Sequence, residues 1–305
     1  MDFPKGVLWG TASAAHQVEG NNVYNDSWLF EHVPGTIYAE PSGDACDHYH
    51  RYGEDIALLA ELGFNTYRFS IEWARIEPEE GEFSTANLEH YRRMLVTCHE
   101  HGLTPMVTFH HFTSPRWLIA AGGWEGEDTP DKFARYCEHA TRYLGDLIGA
   151  ACTLNEPNIA RLLKSMGIAP KPDPLRYAPW WLAAASALGI APDRLAPFMF
   201  AASDQAVQTI LAAHHRAVEV IKAGPGDFPV GMTLALQDIQ AGEGGEEVAA
   251  QMRRSISDVY LEYLSEDDFV GVQTYSRMRC GPEGPLPPEE GVEVTQMHYE
   301  FWPEA

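Results

Sequence analysis

Positive charge is scarce in this sequence: 21 Lys and Arg stand against 44 Asp and Glu among 305 residues, a formal net charge of −23 at pH 7. Such an anionic surface repels phosphate backbones and anionic headgroups, which argues against nucleic acid or a membrane surface as partner. Long apolar runs are missing as well. Stretches such as Trp180 to Leu188 fall well short of the roughly 20 residues that cross a bilayer. The first residues, Met1-Asp2-Phe3-Pro4-Lys5, have no basic segment leading into an apolar one, so no secretory signal is expected and the cytoplasm is the default location. Cysteines stand at 46, 98, 137, 152 and 280, with no Cys-x-x-Cys pair, which predicts free thiols in a reducing compartment.

Cofactor motifs are equally lacking. No Gly-x-Gly-x-x-Gly follows a strand and no phosphate loop occurs, while Gly242-Glu243-Gly244-Gly245-Glu246 is too acidic to cradle phosphate and reads as a solvated turn. Cys46-Asp47-His48-Tyr49-His50 carries ligand-type side chains, but its spacing fits no standard zinc pattern, and a polar loop entering a helix is the plainer reading. His214 and His215 sit within a helical pattern whose apolar face runs through Val207, Ile210, Leu211 and Val218, as packing or polar-face residues. No metal and no cofactor is expected.

What is present is alternation. Short β-rich runs at Val7–Thr11, Thr66–Ser70, Met106–His111, Cys152–Asn155, Val230–Leu236 and Phe269–Tyr275 are separated by segments with helical periodicity. Ile56, Leu59 and Leu62 recur at helical spacing before Gly63, and Leu88, Tyr91, Leu95 and Cys98 do so before Gly102. Thr129-Pro130-Asp131 supplies an N-cap, a first-turn proline and an acid ahead of Phe133 to Leu147. Val207 to Ile221 stops at Gly224-Pro225, and Val248 to Leu264 fills the last gap. The pattern is β/α repeated six times, an α/β chain of the (β/α)8 TIM-barrel type with about six of eight units, read as one incomplete barrel domain over residues 1–305. After Tyr275, the stretch Gly281 to Pro288 is too rich in proline and glycine for another β/α unit. Two open strand edges would then invite self-association.

The most informative point is Asn155-Glu156-Pro157 at the end of the fourth strand, where β/α barrels place catalytic residues. Proline disfavours helical backbone at the residue before it and suits the first turn of a following helix, so Glu156 is expected to close the strand and face the barrel mouth. Other strand ends bring Gln17, Arg68 and His111, whose amide, guanidinium and imidazole suit adjacent hydroxyls. Phe112, Trp117 and Trp124 offer faces on which a pyranose stacks.

These residues fall within longer matches. Phe3-Pro4-Lys5-Gly6-Val7-Leu8-Trp9-Gly10-Thr11-Ala12-Ser13-Ala14-Ala15-His16-Gln17-Val18-Glu19-Gly20 resembles the N-terminal signature of glycoside hydrolase family 1, the β-glucosidase family. Asp47-His48-Tyr49, Asn65-Thr66-Tyr67-Arg68-Phe69-Ser70-Ile71-Glu72-Trp73 and Thr153-Leu154-Asn155-Glu156-Pro157 are similar to the same family in the same order. The resemblance implies a retaining β-glucosidase or related exo-β-glycosidase acting on a small β-glucoside. Glu156 would be the general acid/base, Asn155 the partner of the sugar 2-hydroxyl, Gln17 and His111 glycone contacts, and Arg68 the orienter of the nucleophilic carboxylate.

Four departures qualify it. Phe112 stands where the family has Trp, and Gln273-Thr274-Tyr275 stands for Asn-x-Tyr, with Tyr275 matching the tyrosine. Met166 to Pro197, with Trp180 and Trp181 among several prolines, replaces the family's loop on the leaving-group side. The family's Thr-Glu-Asn-Gly motif, which bears the nucleophile, does not occur in this sequence. Glu72 and Asp238, just beyond the second and fifth strands, could face the mouth, but neither occupies the position of the family's nucleophile. Three readings follow: an enzyme whose nucleophile-bearing strand is missing, a non-catalytic sugar-binding protein, or a chain that needs a second polypeptide to complete the barrel.

Overall fold

A computed structural model describes residues 4–168, 177–296 and 298–305. Phe3 and the middle of the Met166–Pro197 stretch lie outside the described residues. Six parallel strands form one sheet in sequence order: β1 (Gly10–Ser13), β2 (Thr66–Ser70), β3 (Thr104–His110), β4 (Ala150–Asn155), β5 (Val230–Ala235) and, after an insertion, β7 (Phe269–Gln273). Every neighbouring pair is parallel, and β1 and β7 are not joined to one another. The architecture is a half-barrel of six β/α units, an incomplete TIM barrel.

Strand ends differ from expectation by a few residues for identifiable reasons. Pairing starts at Gly10↔Thr66, not at Val7, because Trp9 spends its carbonyl on the Asn65 and Thr66 amides. Gly10 is needed there, since a Cβ would meet the Thr66 carbonyl oxygen at 2.1 Å. β3 begins two residues early, at Thr104, and β7 stops at Gln273, two residues before Tyr275.

Period-two alternation divides the sheet into two faces. Phe69, Val107, Phe109, Ala151, Met232 and Leu234 point into the main core beneath the helices. Arg68, Thr108, Thr233 and Gln273 fall on the opposite, concave face, where they meet. Asn155 reaches that face through a register shift between Cys152 and Asn155, whereas Thr153, two residues earlier, turns outward to His214 of the helix Asp204–Ala223.

The helices follow their apolar spacing, with local corrections. Ser84 and Ser203 cap the helices Thr85–Glu100 and Asp204–Ala223 through the Asn87 and Ala206 amides. Thr129 is the first residue of the helix Thr129–Leu144 rather than its cap, because its hydroxyl bonds the Gly123 carbonyl. Leu62, expected on a buried face, is 64% exposed. The helix His48–Glu61 is anchored by Ile56 and Leu59 instead, and Leu62 lies past its end.

A second, three-stranded sheet was not foreseen. β6 (Asp238–Ala241), β8 (Arg277–Gly281) and β9 (Gly284–Pro285) sit beside the half-barrel in the order β6-β8-β9. The Pro- and Gly-rich stretch after Tyr275 therefore makes a short antiparallel hairpin, not a β/α unit. Trp180 and Trp181 lie on a helix, Pro179–Leu188, and pack with Phe30, Ile119 and Leu195 in a separate apolar cluster. Among the described residues, no helix is long and apolar enough to cross a membrane.

Candidate active site

Strand β4 delivers Asn155 and Glu156 to the C-terminal end of the sheet. Glu156 takes a left-handed backbone, φ +50°, not the extended one expected before Pro157. Both conformations avoid the helical region that the proline ring excludes. The left-handed one lets the Glu156 amide donate to the Thr233 carbonyl at 2.8 Å while its own carbonyl accepts from Ile159 at 2.9 Å, turning the chain from strand into the next helix. A non-glycine residue at positive φ costs about 1–2 kcal/mol, and such strain gathers at functional sites.

Arg68 from β2 is the hub. Its Nε donates to Thr108 Oγ1 at 2.9 Å and its Nη2 to Asn155 Oδ1 at 2.7 Å. Longer contacts of 3.4 and 3.2 Å run to Gln273 Oε1 and Thr233 Oγ1. Every acceptor is neutral, and among the described residues no carboxylate forms an ion pair with this guanidinium. Asn155 Oδ1 also receives Gln273 Nε2 at 3.0 Å and Thr233 Oγ1 at 3.2 Å, so donors from three strands, the arginine among them, fix the amide's orientation. With its oxygen saturated, the amide has only N–H donors to offer elsewhere.

Glu156 is 5% exposed, and its Oε1 accepts the Tyr275 hydroxyl at 3.0 Å. Burial pushes its carboxyl above the usual range, partly opposed by the Tyr275 hydrogen bond and the Arg68 charge. Burial and the neighbouring carboxylate push Tyr275 up to about 12, so it acts as a donor. His111 follows β3; burial and Arg68 push its imidazole down to about 3, and the neutral ring keeps a buried Nδ1 without a partner among the described residues. Phe112, at φ +70°, stands edge-on to His111 with ring centroids 4.7 Å apart. Gln17 is exposed, just past β1 on the open side of the sheet.

Arg68, Asn155 and Gln273 thus form one hydrogen-bonded group, and Glu156 with Tyr275 forms a pair beside it, joined to the group by the Asn155–Glu156 peptide and by the charge of Arg68, which also acts on His111. Thr108 and Thr233 were missed by sequence reasoning. Their signal was the inward parity they share with Arg68 on adjacent strands. One aromatic candidate is corrected, and a second is placed. Trp124 is fully buried, its indole N–H donated to Ser114 Oγ and its ring packed on Phe133 and Phe198, so no sugar reaches its face. Trp117 donates its indole N–H to the Glu77 carbonyl and meets Trp73 edge to face.

The other two carboxylates stand apart from this group. Glu72 is 2% exposed, accepts the Thr113 hydroxyl at 2.9 Å and lies within the electrostatic reach of His16, Glu19 and Arg75. Asp238 belongs to the small sheet and accepts from Gln240 at 2.5 Å. Among the described residues, no cluster of three His, Cys, Asp or Glu side chains is arranged to hold a metal.

A half-barrel with a saturated asparagine, a buried glutamate and a guanidinium at its strand ends has the layout of a β/α-barrel glycosidase. Residues 1–279 match the family described as glycosyl hydrolase family 1, and the chain belongs to that family. It is 33% identical to thermostable beta-glucosidase B of Thermobispora bispora, over 96% of this chain and 64% of that protein. With beta-glucosidase A of Acetivibrio thermocellus it shares 42% identity over 172 residues, 53% of this chain and 38% of the relative. The crystal structure of beta-glycosidase BGL167 superposes with a TM-score of 0.96 at 59% identity, over 99% of this chain and 73% of that one. The matched part covers 38% and 64% of these two curated relatives and 73% of the solved structure, so the chain spans only part of their length.

Proposed function

We infer that this chain carries the acid/base part of a retaining β-glycosidase site acting on β-glucosides or closely related small glycosides. Glu156 protonates the glycosidic oxygen as the bond breaks and later accepts a proton from the attacking water. Its raised affinity for the proton suits the first role, and the hydrogen bond from Tyr275 favours the ionised form needed in the second. Asn155 turns its N–H donors to the sugar 2-hydroxyl, Gln17 and His111 hold further hydroxyls, and Phe112 and Tyr275 flank the sugar. The observation that carries this reading is the hydrogen-bonded group of Arg68, Asn155 and Gln273, with Glu156 beside it.

Retention requires a second carboxyl about 5–5.5 Å from the acid. Arg68, surrounded by neutral acceptors on the concave face, is the group against which that carboxylate would rest; Glu72 and Asp238 are held elsewhere. Cleavage therefore depends on a carboxylate from outside the described residues, supplied by further chain or by a second polypeptide across the open edges. A gluco-configured imidazole inhibitor, whose ring nitrogen accepts a proton where the glycosidic oxygen would, tests the reading by calorimetry. Binding weakened at least tenfold by Glu156→Gln and by Asn155→Ala supports it; binding indifferent to both substitutions overturns it.

A further inference from the structure

The least secure member of the group around Glu156 is Tyr275. It lies past the end of β7 and is 53% exposed, so burial does not hold its ring. What holds it is the segment near residue 300. Tyr299 stacks on Tyr275 with centroids 6.5 Å apart and ring planes 24° from parallel. Backbone bonds from Thr295 N–H to the Tyr299 carbonyl at 2.7 Å and from Phe301 N–H to the Glu293 carbonyl at 2.8 Å join that segment to residues 293–295, and Glu300 ties it to β8. Glu300, 6% exposed, takes Arg277 Nε at 2.5 Å, and Arg279 Nε lies 3.8 Å from its other oxygen. Trp302 covers the Arg277 guanidinium at 3.9 Å, and the buried Ser276 hydroxyl donates to the Glu300 carbonyl at 2.9 Å. The residue that receives the strap, Ser276, is the immediate neighbour of Tyr275.

We propose that Arg277 and Glu300 are positioning residues for Glu156: their ion pair fixes the strap that seats Tyr299 on Tyr275, and Tyr275 so held aims its hydroxyl at the Glu156 carboxylate. The inference rests on Glu156 being the acid/base of the proposed function, but the contacts that carry it lie on β8 and the strap, outside the strand-end group. Its physical content is entropic. A half-exposed tyrosine has several rotamers open to it, and a hydrogen bond to a carboxylate forms reliably only when something else has already paid down that freedom. A partly buried ion pair with a tryptophan over it holds one geometry far better than an exposed pair does.

The groups that act on Glu156 are the Tyr275 hydroxyl beside it and the Arg68 guanidinium across the concave face. The strap changes only the first. Loss of a donor to the carboxylate disfavours the ionised form, so the Glu156 titration must move upward when the strap is released.

The test uses the whole 305-residue chain with 13C-labelled glutamate, the Glu156 signal being assigned by its disappearance in Glu156→Gln. Tyr275→Phe sets the scale by raising the Glu156 midpoint. Glu300→Gln and Tyr299→Ala are expected to raise it as far, Glu300→Gln combined with Tyr275→Phe no further, and Tyr299→Phe, which keeps the stack, not at all. A midpoint that ignores Glu300→Gln and Tyr299→Ala while responding to Tyr275→Phe overturns the proposal, as does one that ignores all three. Tyr299→Ala leaves the ion pair intact, so a decision remains available if Glu300→Gln fails to fold. The titration is independent of bond cleavage: a shift as expected in a chain whose inhibitor binding ignores Glu156→Gln would keep the strap and discard the acid/base reading.

Discussion

Glu72 is ionisable, almost wholly buried and bonded by one hydroxyl only, with its Oε1 left without a partner among the described residues. Burial pushes its carboxyl from 4.5 up to about 7. A carboxyl whose folded-state value is raised stabilises the fold fully below its unfolded value, and that contribution is lost as the pH climbs through the folded one. For values of 4.5 and about 7, the contribution is about 2 kcal/mol at pH 5.5 and close to zero at pH 8. Glu72→Gln removes the titration and keeps the shape. Its amide leaves an unpaired buried N–H, a cost that does not vary with pH and cancels between conditions. Urea midpoints of both proteins across pH 5.5–8 cancel the buried histidines His90, His110 and His111, which titrate in both chains, and leave the effect of Glu72 together with its coupling to His16. The stability of the natural chain relative to Glu72→Gln should rise by about 2 kcal/mol from pH 8 to pH 5.5. A difference that stays flat over that range would refute the reasoning, and would mean that Glu72 is solvated or paired in solution.

Three further outcomes are expected. Gly231→Ala should cost about 1–3 kcal/mol or more in chemical unfolding, because a Cβ there would lie 2.1 Å from the Phe269 carbonyl oxygen between β5 and β7; a loss under about 1 kcal/mol would contradict that packing. Trp124→Ala should destabilise by about 3–5 kcal/mol, as a fully buried indole leaves a large cavity, whereas a sugar-stacking tryptophan would cost binding and little stability. Val272, 59% exposed on the outer strand β7, is expected to promote association, so Val272→Lys should shift sedimentation velocity profiles towards monomer; unchanged profiles would clear that edge.

The sheet was legible because burial on both sides makes parallel strands short apolar runs between helical periods, and five of the six recognised strands needed only end adjustments. β1 was misplaced because Val7, Leu8 and Trp9 look like strand residues, yet pairing awaits Gly10, where the backbones approach closely. The small sheet was invisible since β6, β8 and β9 are two to five residues long and polar, and only their mutual pairing defines them. Asn155, Glu156 and Arg68 were found through motif and strand end. Thr108 and Thr233 were not, because a threonine in a strand is ordinary until its parity with an inward arginine is known. Trp124 was misjudged for the opposite reason: an aromatic residue in a loop that follows a strand is as well suited to a core as to a sugar, and only its neighbours decide.

The central proposal is that Glu156 serves a β-glycosidase site whose second carboxylate is not supplied by this chain; among the described residues none stands against Arg68. The most direct measurement is nitrophenol release from an aryl β-glucoside by the purified chain, its mass verified and its fold checked, beside Glu156→Gln. The account predicts release at the background rate from both. Turnover by the natural chain that vanishes in Glu156→Gln would contradict it, because a second carboxylate would then have to be acting from within this chain.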